Sequence, residues 1–207
     1  MLPDEERFAR AVSAIDAANA DDPNTILVRG ATRPKEQAHA ELMTEWVERL
    51  RPDASEALRL AARAHHLRRW AVPRADYPEG RAGYLRWRKD LHRRHAEDVG
   101  RILTDAGYDE VTVARVQALV AKKDQPARGV SDDPDVRALE DALCLVFVET
   151  QFAELADRLG DEEKMVEVVR KTLAKMSPEG QALALALPLR PADVALVQRA
   201  MGQPRSD

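Results

Sequence analysis

Helical periodicity runs through almost the whole chain and constrains its fold more than any other feature. Apolar residues recur at spacings of three and four, and no segment of any length alternates apolar and polar residues as a strand does. Proline, glycine and aspartate divide this pattern into segments of helical length. The sequence therefore predicts an all-α fold of eight or nine helices in a single compact domain. The one strand-like stretch is TILV, which allows at most a two-stranded piece near Thr25–Val28.

Capping residues and breakers place the helix boundaries. The predicted helices are Asp4–Ala20, one starting at Pro34, one from Asp53 to Trp70, Arg81–Ala106 stopped by Gly107, Glu110–Lys123, Asp135–Leu155 opened by Asp133 and Pro134, one from Asp161 to Met176, and two short ones opened by Ser177-Pro178 and Arg190-Pro191. The helix over 135–155 is apolar on nearly all sides, which predicts a central position. We expect residues 1–160 to form the helical core and residues 161–207 to add C-terminal helices packed on it.

Composition limits the classes of function. The net charge is −4, which disfavours an electrostatic nucleic-acid binder. The single cysteine, Cys144, excludes an internal disulfide and a cysteine-rich zinc site. The longest apolar run, ALCLVFV, is too short to span a bilayer, and the acidic start MLPDEERFAR does not resemble a signal peptide. We therefore expect a cytoplasmic protein with no nucleic-acid or membrane partner, and a homodimer is left open.

The histidines fall at inward positions of the predicted helices. Helical spacing places them on three helices whose apolar faces point to a common interior, and a carboxylate in the apolar sixth helix faces that interior. Imidazoles and a carboxylate are ligands for manganese, iron, zinc or magnesium. The predicted metal ligands are His39, His65, His66, His95 and Asp141. The alternative is that each inward histidine is a core residue hydrogen-bonded to a neighbour.

The stretches around these residues carry a resemblance to a known superfamily. LAARAHHLRRW runs into the histidine doublet, HAEDVGRIL carries a later histidine, and ALEDALCL carries the distant aspartate. This order resembles the HD-domain metal-dependent phosphohydrolases, and the likeness covers residues 38–152. The resemblance implies an HD-like helical core, a bound divalent ion and hydrolysis of a phosphorylated substrate.

Longer phrases resemble a second family. AIDAANADDPN, HLRRWAVPRADYPEGRAGYLRWRKDL and LEDALCLVFVE are similar to the uncharacterised domain of unknown function family 4202, over nearly the whole chain. That family implies no activity. Its pattern implies a site formed by His66, His95 and Asp141, with Glu140 and Glu149 in support.

The chain departs from both patterns at several positions. His66 occupies the place of the HD-domain aspartate, and Lys122 and Lys123 stand where many HD relatives keep another histidine. At His39 and His65, family 4202 frequently has tyrosine and glutamine. The replacement at residue 66 implies either a metal site with less negative charge or a site that has lost its metal.

A strongly basic segment lies between the histidines. From Arg63 to His95 the chain has ten cationic side chains against three carboxylates. Arginine binds phosphate or carboxylate in a bidentate manner. The predicted anion-binding residues are Arg68, Arg69, Arg81 and Arg88, beside a YPEGRAGYL loop in which Gly80 and Gly83 permit close approach. The alternative is a solvated basic face.

Three functions remain open from the sequence. The first is an HD-like metal-dependent hydrolase acting on a small anionic, phosphorylated substrate. The second is a non-catalytic HD-like module that binds a small anion or a partner protein. The third is a di-iron HD-type oxygenase. The glycine-rich phosphate loop, GxSxG and HExxH motifs are absent from the sequence.

Overall fold

The protein is helical apart from one short hairpin, as a computed structural model shows for residues 4–126 and 129–202. In these ranges the α-helices are α1 (Asp4–Ala20), α2 (Lys35–Leu50), α3 (Glu56–Arg63), α4 (Gly80–Ala106), α5 (Glu110–Val120), α6 (Pro134–Thr150), α7 (Phe152–Leu159), α8 (Glu162–Leu173), α9 (Pro178–Leu185) and α10 (Pro191–Gly202). Two short 3-10 helices cover Arg69–Ala71 and Arg74–Asp76. The predicted all-α class is confirmed, but the helices are more numerous than the eight or nine expected.

The chain divides into two compact units rather than one. The first unit is Met1–Gln125 and holds α1 to α5, and the second is Pro126–Asp207 and holds α6 to α10. The sequence placed its division after residue 160, whereas the units divide after residue 125. The reason is that α6 packs against α7 and α9, which lie later in the chain. Ala127 and Arg128, between the predicted fifth and sixth helices, lie outside the described residues.

In the first unit, α3 occupies the centre. It contacts α1, α2 and α5, while α4 packs along α5 and α1. Ile15, Met43, Leu58 and Leu103 are completely shielded from solvent in this core. Each such side chain contributes roughly 1.5–3 kcal/mol through burial, so α3 is held in place from several sides.

The hairpin precedes α2 and sets where that helix begins. Strands β1 (Thr25–Val28) and β2 (Ala31–Pro34) pair antiparallel, with Val28 opposite Ala31. Arg29 and Gly30 between them both have positive φ, 48° and 82°, as the tight turns of two-residue hairpins require. The two-stranded piece expected near residues 25–28 is thus confirmed, and it delivers the chain directly into α2.

Helix α3 ends earlier than the sequence predicted. It stops at Arg63 instead of Trp70, and the histidine doublet lies in the irregular turn that follows. Arg68 closes this turn in the left-handed region at φ 52°, and its backbone N–H donates to Asn19 Oδ1 at 3.0 Å. A left-handed residue cannot continue an α-helix. The doublet is therefore presented by a turn rather than by a helix face.

The loop before α4 lies tightly against that helix. A Cβ at Gly83 would be 1.9 Å from the Pro78 carbonyl oxygen, whereas a Cβ at Gly80 would have no atom within 4 Å, so the expected close approach is found at Gly83 and not at Gly80. Trp87 Nε1 donates to the Val72 carbonyl at 2.9 Å, and Arg74 donates to the carbonyls of Tyr77 and Pro78. The loop is thus fastened at both ends. At its far end α4 stops at Gly107, as predicted.

In the second unit, α6 forms the most buried helix. Asp133 caps it by accepting from the N–H groups of residues 135 and 136, as expected. The predicted single helix to Leu155 is interrupted at Gln151, after which α7 begins. Within residues 4–126 and 129–202, no helix combines the length and apolar character needed to cross a membrane.

Candidate metal centre

Three of the predicted histidines meet in the first unit. His39 comes from α2, and His65 and His66 come from the turn after α3. Each offers one ring nitrogen within 4.8 Å of the nitrogens offered by the other two. The rings of His39 and His66 stack at a centroid distance of 4.1 Å, and the His65 ring lies 4.6 Å from that of His66. We call these three residues the histidine cluster.

Local structure explains how the cluster forms. His39 lies on the buried face of α2, which also carries Leu42 and Met43. The doublet is flanked by Ala64 and Leu67, both fully buried, which hold its turn against the core. The cluster is therefore built on packed elements, with His39 and His65 buried and His66 partly exposed.

Several ring nitrogens in and beside the cluster lack partners. His39 Nε2, His65 Nδ1 and the neighbouring His95 Nε2 are buried without a hydrogen-bond partner. A buried polar atom without a partner is unfavourable and is rare in folded proteins. A cation bound by the histidine cluster would give a buried imidazole nitrogen the partner that it lacks. The arrangement is therefore suited to binding a cation.

The electrostatics keep these imidazoles neutral. Burial, followed by the positive charge of Arg69, lowers the pKa of His39 to about 3. Burial also lowers the pKa of His65 and His66 well below the usual histidine value, with further lowering by their charged neighbours. Neutral imidazole is the form that ligates a metal. At neutral pH the cluster is consequently ready for metal binding without loss of protons.

His95 lies beside the cluster but is not one of the three grouped residues. Its ring on α4 is 6.1 Å from the His66 ring. Its Nδ1 is 2.7 Å from the Leu67 carbonyl oxygen, which accepts a hydrogen bond only if Nδ1 carries the proton. Burial lowers the pKa of His95 to about 4. A fourth nitrogen, Nε2, is thus left available close to the cluster.

Glu36 is a functional candidate that the sequence reasoning missed. It is buried on α2, and its Oε2 lies 3.3 Å from His66 Nδ1. Burial raises the pKa of Glu36 to about 7, against the opposing effect of Arg69, whose Nε is 3.9 Å from Oε1. Asp22 fixes this start of α2 by accepting from the Glu36 backbone N–H at 2.9 Å. The available signal was the spacing Glu-x-x-His, which places Glu36 and His39 on one helix face.

Asp141, predicted as a ligand, belongs to the second unit and has another role there. Its Oδ1 accepts from the Ser177 backbone N–H at 2.8 Å, and its Oδ2 accepts from the Ser177 hydroxyl at 2.6 Å. The Ser177 hydroxyl in turn accepts from Gly180 N at the start of α9. The buried carboxylate needed a partner, as expected, but that partner is a helix cap. The grouped ligand atoms do not include Asp141.

The two predicted supporting carboxylates also lie on α6. Glu140 is buried, and its Oε1 is 3.8 Å from Lys175 Nζ. Glu149 is on the last turn of the same helix and is partly exposed. Both residues are in the second unit, whereas the histidine cluster is in the first.

The predicted anion-binding arginines occupy different environments. Arg69 lies next to Glu36 and stacks on the Trp87 ring at 4.8 Å, with a third of its side chain exposed. Arg88 is partly exposed over the Tyr84 ring. Arg68 and Arg81 are exposed, and the backbone N–H of Arg68 donates the hydrogen bond to Asn19 that holds the turn. Arg69 is thus the predicted arginine that lies beside the histidine cluster.

Comparison with known families agrees with the sequence pattern. A family model described as a domain of unknown function, DUF4202, matches residues 9–197. The chain belongs to this family. No curated protein and no solved structure gave a match. Membership of DUF4202 brings no reaction with it, so the function is argued from the site.

Proposed function

We propose that this DUF4202 protein is an HD-like, metal-dependent hydrolase of small phosphorylated molecules. The ion would be held by His39, His65 and His66. The observation that carries the proposal is the meeting of three neutral imidazoles, two of which have buried nitrogens without partners. The HD-like helical pattern of the sequence agrees with it.

The donor set favours a single zinc ion or a similar divalent ion. Two nitrogens bound to one tetrahedral zinc at ~2.1 Å lie roughly 3.4 Å apart. The ring nitrogens of the histidine cluster, which lie within 4.8 Å of one another, would therefore move closer through small side-chain rotations. Three protein ligands leave a position for water, and a bound divalent ion supplies a nucleophile by lowering the pKa of that water to about 7. A di-iron oxygenase is less consistent with this site, because di-iron sites of helical proteins are rich in carboxylates.

Glu36 and Arg69 would assist from beside the ligands. A carboxylate that accepts the proton of a ligating histidine fixes its tautomer and orientation. Glu36 is placed to do this for His66, whose Nδ1 would donate and whose Nε2 would face the ion. The Arg69 guanidinium, half-stacked on Trp87, would bind negative charge on the substrate.

The test begins with elemental analysis of protein purified without a metal-affinity tag. We expect about one divalent ion per chain, and a loss of affinity of about 100-fold or more when His39, His65 or His66 is replaced by glutamine. His92→Gln is the matched control, because His92 is outside the grouped ligands. Circular dichroism would confirm that each variant folds.

Activity is then measured with the metal-loaded protein on a panel of phosphate esters. We expect hydrolysis that is lost in His66→Gln and retained in Glu154→Gln, an exposed change on α7. No bound metal, either after purification or on titration with zinc and manganese, would contradict the metal site. Bound metal without hydrolysis of any ester would contradict the hydrolase and favour a binding module.

A further inference from the structure

An open groove runs along α4 beside the end of α5, within the first unit. Its volume is about 620 Å³, within the range of small-molecule sites. Leu85, Ala96 and Ala121 supply apolar lining. A ligand with a compact apolar body would therefore fit this groove.

The charged lining of the groove is strongly basic. Arg88, Lys89, Arg93 and Lys123 line it, against one carboxylate, Glu97. Glu97 is engaged by Arg93 at 2.9 Å. In the described part of the chain, no carboxylate pairs with the other three cations. This excess of positive charge in a chain of net charge −4 predicts an anionic ligand.

Helix α4 forms a wall shared by the groove and the histidine cluster. His92 lines the groove, and His95, one helical turn later, lies beside the cluster. The positive charge that His92 can carry contributes to the lowered pKa of both His65 and His95, which agrees with a short separation. Burial lowers the pKa of Arg69, and the positive charge of Arg88 lowers it to a smaller extent.

We propose that this groove binds a phosphate monoester with an apolar or aromatic body. The phosphate would contact Arg88, Lys89 and Lys123, and the body would lie on the apolar lining. Phosphate monoesters would be the substrate class of the proposed hydrolase, and their hydrolysis after binding rests on that proposed function. Binding of the ester needs no metal, so the groove proposal and the hydrolase proposal can be contradicted separately.

The test is calorimetry on EDTA-treated, full-length protein. The probes are adenosine monophosphate, phenyl phosphate and inorganic phosphate, with adenosine as the uncharged comparison. We expect at least one ester to bind more tightly than inorganic phosphate. Its affinity should exceed that of adenosine by about tenfold or more, and it should fall as the salt concentration is raised.

Two variants and a matched control locate the binding. Lys89→Glu and Lys123→Glu should each weaken ester binding by about tenfold or more. Arg86→Glu makes the same change of charge on α4 at an exposed residue outside the groove lining, and binding should persist. The proposed binding site would be contradicted if none of the three phosphates bound, or if adenosine bound as tightly as the esters. It would also be contradicted if Arg86→Glu weakened ester binding as much as Lys89→Glu and Lys123→Glu do. The metal titration of the proposed function is unaffected by any of these results.

Discussion

At the scale of single residues, the centre combines buried side chains with the partly exposed His66. The carboxyl group of Glu36 is buried against His66 and Arg69, and its pKa is raised to about 7 by burial. An isolated buried carboxylate is costly unless a cation or hydrogen-bond donor compensates it. In this position Glu36 Oε2 can accept a hydrogen bond from His66 Nδ1, which suits a residue that orients a ligand.

Replacement of Glu36 by glutamine tests that role. We expect Glu36→Gln to weaken metal binding by about 10- to 100-fold, because the amide cannot compensate the positive charge of the metal-bound imidazole. Metal affinity would be measured by competition with a chelating dye. Glu41→Gln is the control, since Glu41 is also on α2 but pairs with Arg33 at 2.5 Å. Equal affinities for Glu36→Gln and the unmodified protein would contradict the positioning role.

The sequence was informative about histidines and uninformative about their acidic partner. Helical spacing gave inward positions for His39 and His65, and the structure buries both. It suggested Asp141 as the carboxylate because Asp141 lies in the most apolar helix. The Glu-x-x-His spacing places Glu36 on the same helix face as His39, but the contact of Glu36 with His66 depends on long-range packing, which helical periodicity does not report. Glu36 lies within the polar stretch RPKEQ, which resembles a surface sequence, and was therefore overlooked.

At the scale of secondary-structure elements, the start of α9 depends on a residue of α6. Asp141 accepts two hydrogen bonds from Ser177, and Gly180 packs so closely that a Cβ there would be 2.6 Å from the Asp141 carboxyl carbon. Helix starts leave backbone N–H groups unsatisfied unless a side chain accepts from them. This contact fixes α9 on α6.

Asp141→Asn should therefore affect stability and leave metal binding unchanged. The amide keeps one acceptor oxygen and loses the other, and the partners are neutral. We expect the free energy of unfolding to fall by about 1–3 kcal/mol, measured by urea denaturation. Glu154→Gln, an exposed change on α7, is the control. Loss of bound metal in folded Asp141→Asn would show that Asp141 has a part in the metal site.

Elements were predicted best where local chemistry decides them. Gly107 stops α4 and Asp133 opens α6 in both sequence and structure, because caps act within a few residues. The early end of α3 was not predictable in this way. The turn that follows α3 is held by a contact distant in sequence, since Asn19 Oδ1 accepts from the backbone N–H of Arg68, forty-nine positions away.

At the scale of the whole molecule, the buried histidines make stability depend on pH. In the unfolded chain a histidine titrates near pH 6.5, whereas burial lowers the pKa of His39 to about 3 and that of His95 to about 4 in the fold. Between these values the unfolded chain binds protons that the folded protein excludes. The free energy of unfolding of the metal-free protein should thus fall as pH falls below about 6.5, and each such histidine contributes up to ~1.4 kcal/mol per pH unit.

Urea denaturation in EDTA between about pH 7 and pH 5 would measure this dependence. His39→Gln should make this pH dependence shallower, because it removes one buried imidazole that takes up a proton only in the unfolded chain. His92→Gln is the comparison, because His92 is only partly buried. A slope that His39→Gln leaves unchanged would contradict the assignment of the pH dependence to the buried imidazoles.

The class of fold was accessible from the sequence because periodicity is a local property, but the division into two units was not. Residues 126–160 have the same helical pattern as the residues before them, so the pattern alone suggested a common core. The packing of α6 on α7 and α9 assigns these residues to the second unit.

The contact between Gly83 and Pro78 has a consequence for the gene as well as for the protein. The atom that a Cβ would meet is a backbone oxygen, in a loop that Arg74 and Trp87 hold at fixed points. It cannot rotate away as a flexible side chain would. In a library that randomises codon 83, the clones that keep this loop should therefore encode glycine. Any other residue at position 83 should release the loop from α4 without altering a residue of the histidine cluster.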